Sequence, residues 1–167
     1  MREKTILFQG DSVTDGNRYK DKSQEWDLNH QMGHSYPYVI NALLGSKYPE
    51  KGYIFKNRGI SGNRITDLFG RWKEDAINLK PDILSILIGV NDCNSQLSEH
   101  TGSSPEKYER VFHMLLDEMK EANENVQFVL CEPFILPTGD VLMNYLKLRI
   151  QSIGYGMEYI QQRTDMG

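Results

Sequence analysis

Residues 5–15 read TILFQGDSVTD, an apolar run of strand length that changes abruptly into glycine, aspartate and serine. Gly10, Asp11 and Ser12 are of the residue types that close turns and cap helices. The stretch therefore predicts a buried strand that is followed at once by a turn carrying a serine.

Other segments of strand length and of helical period follow in alternation. The further predicted strands are residues 53–57, 83–88 and 126–131. The predicted helices, with apolar side chains spaced by three and four, are residues 36–44, 65–76, 105–119 and about 142–160. Alternating strands and helices predict an α/β fold with a parallel sheet, in which no strand follows the last helix.

The composition limits the classes of function. The chain has 167 residues and a formal net charge of −4 without a basic stripe, which predicts one domain over residues 1–167 and argues against a nucleic-acid partner. No apolar run is long enough for a membrane span, and the start, MREKTILFQGDS, is too polar for a signal peptide, so we expect a cytoplasmic protein. Cys93 and Cys131 form no CxxC pair, and we expect neither a metal nor a disulfide.

Three strand-ending turns carry the residues of chemical interest: GDSVTDG at 10–16, NRGISGN at 57–63 and GVND at 89–92. Taken singly, each has an ordinary structural explanation as a helix cap, a glycine turn or an Asx turn. In an open parallel sheet, however, ligands bind outside the carboxyl ends of the strands, where these turns would meet. Together they supply the parts for acyl transfer.

These three turns, with MGHSYPYVI, RWKED and LSILIGVNDCN, resemble the first three sequence blocks of the SGNH or GDSL hydrolases. Within that family the chain is most similar to carbohydrate esterases of the acetylxylan esterase kind. The resemblance implies a flavodoxin-like three-layer α/β/α fold and a serine esterase that removes short acyl groups, most of all acetyl, from a carbohydrate without a cofactor. It also implies that Ser12 is the nucleophile, and that the backbone amides of Ser12 and Gly62 with the side-chain amide of Asn91 form the oxyanion hole.

The chain departs from the family at its C-terminus. The last block of the family, an aspartate and a histidine two or three residues apart after a final strand, has no match in QQRTDMG at 161–167. We therefore expect a truncated domain that lacks the final strand, the catalytic loop and the closing helix, and that is inactive unless another base acts. His34 is the first candidate for such a base. An uncovered sheet edge also predicts a homo-oligomer.

Several alternatives stay open at this point. The chain could act as a lysophospholipase or thioesterase on longer acyl chains, or bind carbohydrate without catalysis; a nucleotide-binding domain is disfavoured because GxGxxG is absent. The polar residues 17–35 predict a long loop near the site. Trp26, Tyr19 and Tyr36 would suit a sugar ring. Asp15 and Asp92 are expected to make local hydrogen bonds.

Overall fold

The computed structural model describes residues 3–21 and 28–133. Within this part, four parallel strands form one sheet in the order β2-β1-β3-β4. The strands are β1 Lys4–Gly10, β2 Tyr53–Asn57, β3 Ile83–Leu87 and β4 Gln127–Leu130. The predicted α/β fold with a parallel sheet is confirmed. The helix predicted at about 142–160 lies outside the described residues.

The helices of the described part connect and cover the strands. They are α1 Ser12–Asp15, α2 Leu28–Met32, α3 Tyr36–Lys47, α4 Ile65–Gly70, α5 Trp72–Asp75, α6 Val90–Ser98 and α7 Pro105–Ala122, with short 3₁₀ helices at Pro49–Lys51 and Ile77–Leu79. None of these helices has the length and apolar character needed to cross a membrane.

Two hydrophobic cores, one on each face of the sheet, give the molecule its three layers. On one face Leu7 and Leu84 of the central strands pack against Trp72 and Leu115. On the other face Phe8 packs against α3, where its ring meets the Tyr36 ring edge to face at a centroid distance of 5.7 Å. Side chains alternate between the two faces of a strand, so the centre of β1, Ile6 to Phe8, is continuously apolar because both faces are covered.

Three local predictions differ from the structure. The single helix predicted over 65–76 is broken at Arg71, whose amide closes the last turn of α4 with a bond to Leu68 rather than continuing the helix. Gly70, a poor helix former, directly precedes the break. The loop predicted at 17–35 contains α2, and α6 follows Gly89 where no helix was predicted. Sequence periodicity missed both helices because they are short and largely polar.

The second strand-ending turn lies directly against α1. A Cβ atom at Gly59 would overlap the backbone nitrogen of Asp15 and lie 2.8 Å from the carbonyl carbon of Thr14. Gly62 has a φ of 83°, and a Cβ there would meet nothing within 4 Å. Gly59 is thus required for space and Gly62 for its backbone conformation.

We expect Gly59→Ala to lower the free energy of unfolding by about 1–3 kcal/mol, because the methyl group would force the turn away from α1. Equilibrium unfolding in urea measures this change. Gly45→Ala is the matched control: it lies within α3 with nothing within 4 Å of its Cβ position, and it should stabilise the helix by about 0.5–1 kcal/mol. Equal stability of Gly59→Ala and the wild type would contradict the steric argument.

Candidate active site

Ser12 is the first residue of α1, immediately beyond the carboxyl end of β1. The N-cap residue Asp11 takes up the amides that follow: its carboxylate accepts from Val13 at 3.0 Å, and its carbonyl accepts from Thr14 at 3.1 Å and Asp15 at 2.7 Å. Among the described residues, the Ser12 amide has no acceptor. The Ser12 side chain is exposed, whereas Asp11 is buried. Ser12 therefore offers both its hydroxyl and its amide at the edge of the sheet.

The buried side chain of Asn57 joins the first turn to the second. Its Nδ2 donates to the carbonyls of Thr14 at 2.7 Å and Met32 at 2.9 Å, and its Oδ1 accepts from the Gly59 amide at 2.9 Å. An asparagine can satisfy these backbone groups because it carries two donor hydrogens and an acceptor on one side chain. Asn57 thereby holds α1, the end of α2 and the glycine turn together.

Asp15 makes a second connection between the same turns. This buried carboxylate accepts from the Ser61 amide at 2.9 Å and the Arg18 amide at 3.1 Å, and it pairs with Lys20 at 2.7 Å. Burial alone would raise the pKa of Asp15, but the bonds from Lys20, Ser61 and Arg18 outweigh it and hold the pKa below its usual value. The expected local bond exists, but the bond to Ser61 spans 46 positions.

Asn91 joins the second turn to the third. It lies in the first turn of α6, and its Nδ2 donates to the carbonyl of Asn63 at 2.9 Å. An asparagine amide has two hydrogens, so one remains for another acceptor. The Gly62 amide also has no acceptor among the described residues. The structure thus brings the three predicted turns together, and each retains one uncommitted donor at this edge.

Asp92 is not part of an Asx turn, contrary to the local role expected for it. Its Oδ2 accepts from the amide of Ile65, the first residue of α4, at 2.8 Å. Its Oδ1 is buried and has no hydrogen-bond partner within the described residues. Burial is the main cause that raises the pKa of Asp92 to about 6. The Ile65 amide lies 27 positions away, so the sequence alone could not identify it as the partner.

A small pocket opens at the start of α6. It is lined by Gly89, Asp92, Cys93, Ser103, Pro105, Tyr108 and Pro133. The Tyr108 hydroxyl donates to the carbonyl of Ile88 at 2.9 Å. Burial raises the pKa of Cys93 to about 11, so its thiol is protonated at neutral pH and is a poor nucleophile.

The four histidines are all within the described part, and none is hydrogen-bonded to Ser12 there. His34 is exposed, and its amide donates to the carbonyl of Gly16 at 2.8 Å, at the end of α1. His30 lies in α2, His100 in an exposed turn and His113 in α7. His34 is thus anchored by its backbone next to the helix that begins with Ser12.

The aromatic residues expected to suit a sugar ring have different environments. The Tyr36 hydroxyl lies 3.1 Å from the hydroxyl of Thr14, and its ring packs on Phe8, so Tyr36 is a packing residue. Tyr19 is exposed, and Trp26 lies outside the described residues. In the part of the chain that the structure describes, no three or more His, Cys, Asp or Glu side chains are grouped so as to hold a metal ion.

Comparison with known proteins gives a family match that includes all three turns. Residues 8–154 match the sequence model of the GDSL-like Lipase/Acylhydrolase family. An acetylxylan esterase of Geobacillus stearothermophilus is 44% identical over 87 residues, which are 52% of this chain and 39% of that protein. The matched segment therefore spans about two fifths of that relative.

Solved structures match over more of the chain. A protein of Parabacteroides merdae assigned as a GDSL-like lipase superposes with a TM-score of 0.82 at 35% identity, over 93% of this chain and 74% of that one. An acetylxylan esterase of Geobacillus stearothermophilus superposes with a TM-score of 0.81 at 31% identity, over 97% and 73%. That structure is a catalytic mutant in which an aspartate is changed to alanine. A second structure of the same enzyme is a catalytic mutant in which a histidine three positions farther on is changed to alanine.

The raised pKa of Asp92 predicts a distinct pH dependence of stability. Because its pKa is about 6 in the folded protein and 3.8 when unperturbed, the folded state binds more protons between these values. Its contribution to stability therefore falls as the pH rises from about 4 to 6, by roughly 3 kcal/mol, and is constant above. Asp92→Asn keeps an acceptor for the Ile65 amide but removes the charge.

We thus expect Asp92→Asn to be more stable than the wild type at pH 7, with the difference shrinking toward pH 4. Urea unfolding of both proteins from pH 4 to 7 measures this difference, and the other carboxylates cancel in the comparison. Parallel stability curves across this range would show that Asp92 does not titrate as described.

Proposed function

Because the chain belongs to the GDSL-like lipase/acylhydrolase family, we propose that it is a serine esterase that removes short acyl groups, above all acetyl, from a carbohydrate. Ser12 is the nucleophile of this reaction. The amides of Ser12 and Gly62 and the side chain of Asn91 are its oxyanion donors. Similarity to an acetylxylan esterase supports the acetyl and carbohydrate preference.

One observation carries the proposal: an exposed serine hydroxyl shares the sheet edge with three uncommitted N–H donors. The cap at Asp11 uses the donors of residues 13–15 and leaves that of Ser12. The turn at 60–63 uses the amides of Ser61 and Asn63 and leaves that of Gly62. The side-chain amide of Asn91 donates one hydrogen to the Asn63 carbonyl, and its second hydrogen remains available. Because backbone N–H groups in proteins are almost always paired, these donors are available to water or to a ligand.

In the proposed reaction, Ser12 Oγ bonds to the carbonyl carbon of the ester and loses its proton to a base. The electron pair of the C=O bond moves to oxygen, and the three donors stabilise that negative charge, each contributing about 3 kcal/mol. The intermediate collapses, the C–O bond to the alcohol breaks, and the base returns the proton to the leaving oxygen. Water then repeats these steps on the acyl-serine and releases the acid.

A base is needed because a serine hydroxyl is a weak nucleophile while protonated. Within this chain His34 is the first candidate, because its backbone is hydrogen-bonded to Gly16 at the end of α1. A neutral imidazole is the usual acceptor of the proton from a serine nucleophile.

The nucleophile is tested by hydrolysis of p-nitrophenyl acetate by the wild type and by Ser12→Ala. We expect turnover that Ser12→Ala reduces to the uncatalysed background, since the proposed reaction uses the Ser12 hydroxyl as its nucleophile. Ser46→Ala is the matched control, because Ser46 is an exposed serine of α3 whose hydroxyl bonds only to the carbonyl of Leu43. Equal rates for the wild type and Ser12→Ala would overturn the proposal.

The same assay distinguishes the alternative functions. Faster hydrolysis of an acetyl ester than of an octanoyl ester supports an esterase for short acyl groups, and the reverse order supports a lysophospholipase or thioesterase. Saturable binding of acetylated xylo-oligosaccharide without turnover would instead indicate a carbohydrate-binding protein of the same fold.

The oxyanion role is tested by Asn91→Ala. We expect kcat to fall by about a hundredfold or more with a smaller change in KM, because the lost donor acts on charge that develops in the transition state. Asn94→Ala, an exposed position farther along α6, should leave both constants near their wild-type values. A change of less than threefold in kcat for Asn91→Ala would exclude this role.

A further inference from the structure

Arg71, at the break between α4 and α5, touches the ends of several segments that form the site. Its Nη1 donates to the Arg58 carbonyl at 2.8 Å and to the Gln9 side chain at 2.9 Å, and its Nη2 donates to the Gly10 carbonyl at 3.3 Å. An ion pair of 3.2 Å joins it to Asp75. One guanidinium thus ties the end of β1 to the start of the second turn.

The third nitrogen of this guanidinium, Nε, donates to a later residue of the second turn. Arg71 Nε donates to Asn63 Oδ1 at 2.8 Å, and the carbonyl of the same Asn63 accepts from Asn91 Nδ2 at 2.9 Å. The Asn63 amide is also committed, to the carbonyl of Ile60 at 3.1 Å. Asn63 therefore has its side chain fixed by Arg71 and its carbonyl directed at Asn91.

We propose that Arg71 is a positioning residue of the oxyanion hole, which fixes the side-chain amide of Asn91 through Asn63. This inference rests on the proposed function, because it concerns the same donor. If Asn63 lost its bond to Arg71, its backbone could shift together with the carbonyl that orients Asn91. The Asn91 hydrogen aimed at the oxyanion would then move as well. Small displacements of a catalytic group can cost up to about a hundredfold in rate.

The chemistry of arginine fits this task. Its planar fork offers five donors in fixed directions, so it can hold acceptors of β1, of the second turn and of α5 at once, whereas a lysine ammonium is a point charge without that geometry. Burial lowers the pKa of Arg71, and Asp75 opposes this effect. The guanidinium stays protonated, since arginine does not lose its proton in proteins.

The first arm of the test is kinetic. Arg71→Lys keeps the charge and removes the fork, and we expect kcat for p-nitrophenyl acetate to fall by about tenfold or more with KM little changed. Arg110→Lys, an exposed position on α7, is the control and should match the wild type. In the Asn91→Ala background, Arg71→Lys should cause little further loss, because both changes act on one donor. Losses that multiply in the double variant would overturn the proposal.

The second arm does not depend on activity. The side-chain amide resonances of Asn91 are identified in ¹H–¹⁵N spectra as those missing from Asn91→Ala. We expect Arg71→Lys to shift them and Arg110→Lys to leave them in place. Unshifted Asn91 resonances in folded Arg71→Lys would overturn the proposal. If the wild type has no Ser12-dependent turnover, the proposed function fails, while this arm still decides the role of Arg71.

A second pair of variants keeps the test valid if Arg71→Lys does not fold. Asn63→Ala removes only the acceptor for Arg71 Nε and retains the carbonyl that binds Asn91. It should shift the Asn91 resonances and lower kcat, whereas Asn63→Asp, which keeps an acceptor for Arg71, should restore both toward the wild type. Wild-type resonances and kcat in Asn63→Ala would refute the inference.

Discussion

The site depends on one close backbone contact, the packing of the glycine turn at 57–63 against α1. At Gly59 the two segments approach so closely that no side chain fits between them. The buried amide of Asn57 satisfies the polar backbone groups on both sides of this contact. Because unpaired buried backbone groups are costly, the contact and the asparagine are required together.

This contact determines which backbone donors remain uncommitted. Once the turn at 60–63 is closed and Ser61 is bound to Asp15, the Gly62 amide has no acceptor in the described part of the chain. The cap at Asp11 likewise binds the amides of residues 13–15 and leaves the Ser12 amide without an acceptor in that part. Unpaired donors at an exposed sheet edge favour negative charge on a ligand, which links the local turn geometry to the proposed chemistry.

Charged side chains also connect these segments from the interior. Lys20 and the amides of Ser61 and Arg18 hold the pKa of Asp15 below its usual value, whereas burial raises the pKa of Asp92 to about 6. Arg71 supplies a cation between the first two turns, and its long stem lets one side chain reach acceptors on several segments. The turns are thus connected by polar side chains as well as by the sheet.

The sequence by itself determined the sheet and the identity of the three turns. Apolar runs of strand length, alternating with helical periods, predicted strands that the structure confirms to within about two residues at each end. The spacing of GDS, NRGISGN and GVND was also readable, because turn residues at strand ends follow from local backbone preferences. The short helices α2 and α6 were missed, since polar helices of this length carry little periodicity.

Only the tertiary structure decided how the turns are joined. Asp15, Asn57, Asp92 and Arg71 each have at least one partner on a distant segment, up to 62 positions away in the case of Arg71, and no spacing rule relates such residues. It also decided that Gly59 serves close approach while Gly62 serves its φ angle. The physical reason is that strand and turn preferences act over a few residues, whereas hydrogen-bond partners across a sheet edge are set by which strands become neighbours.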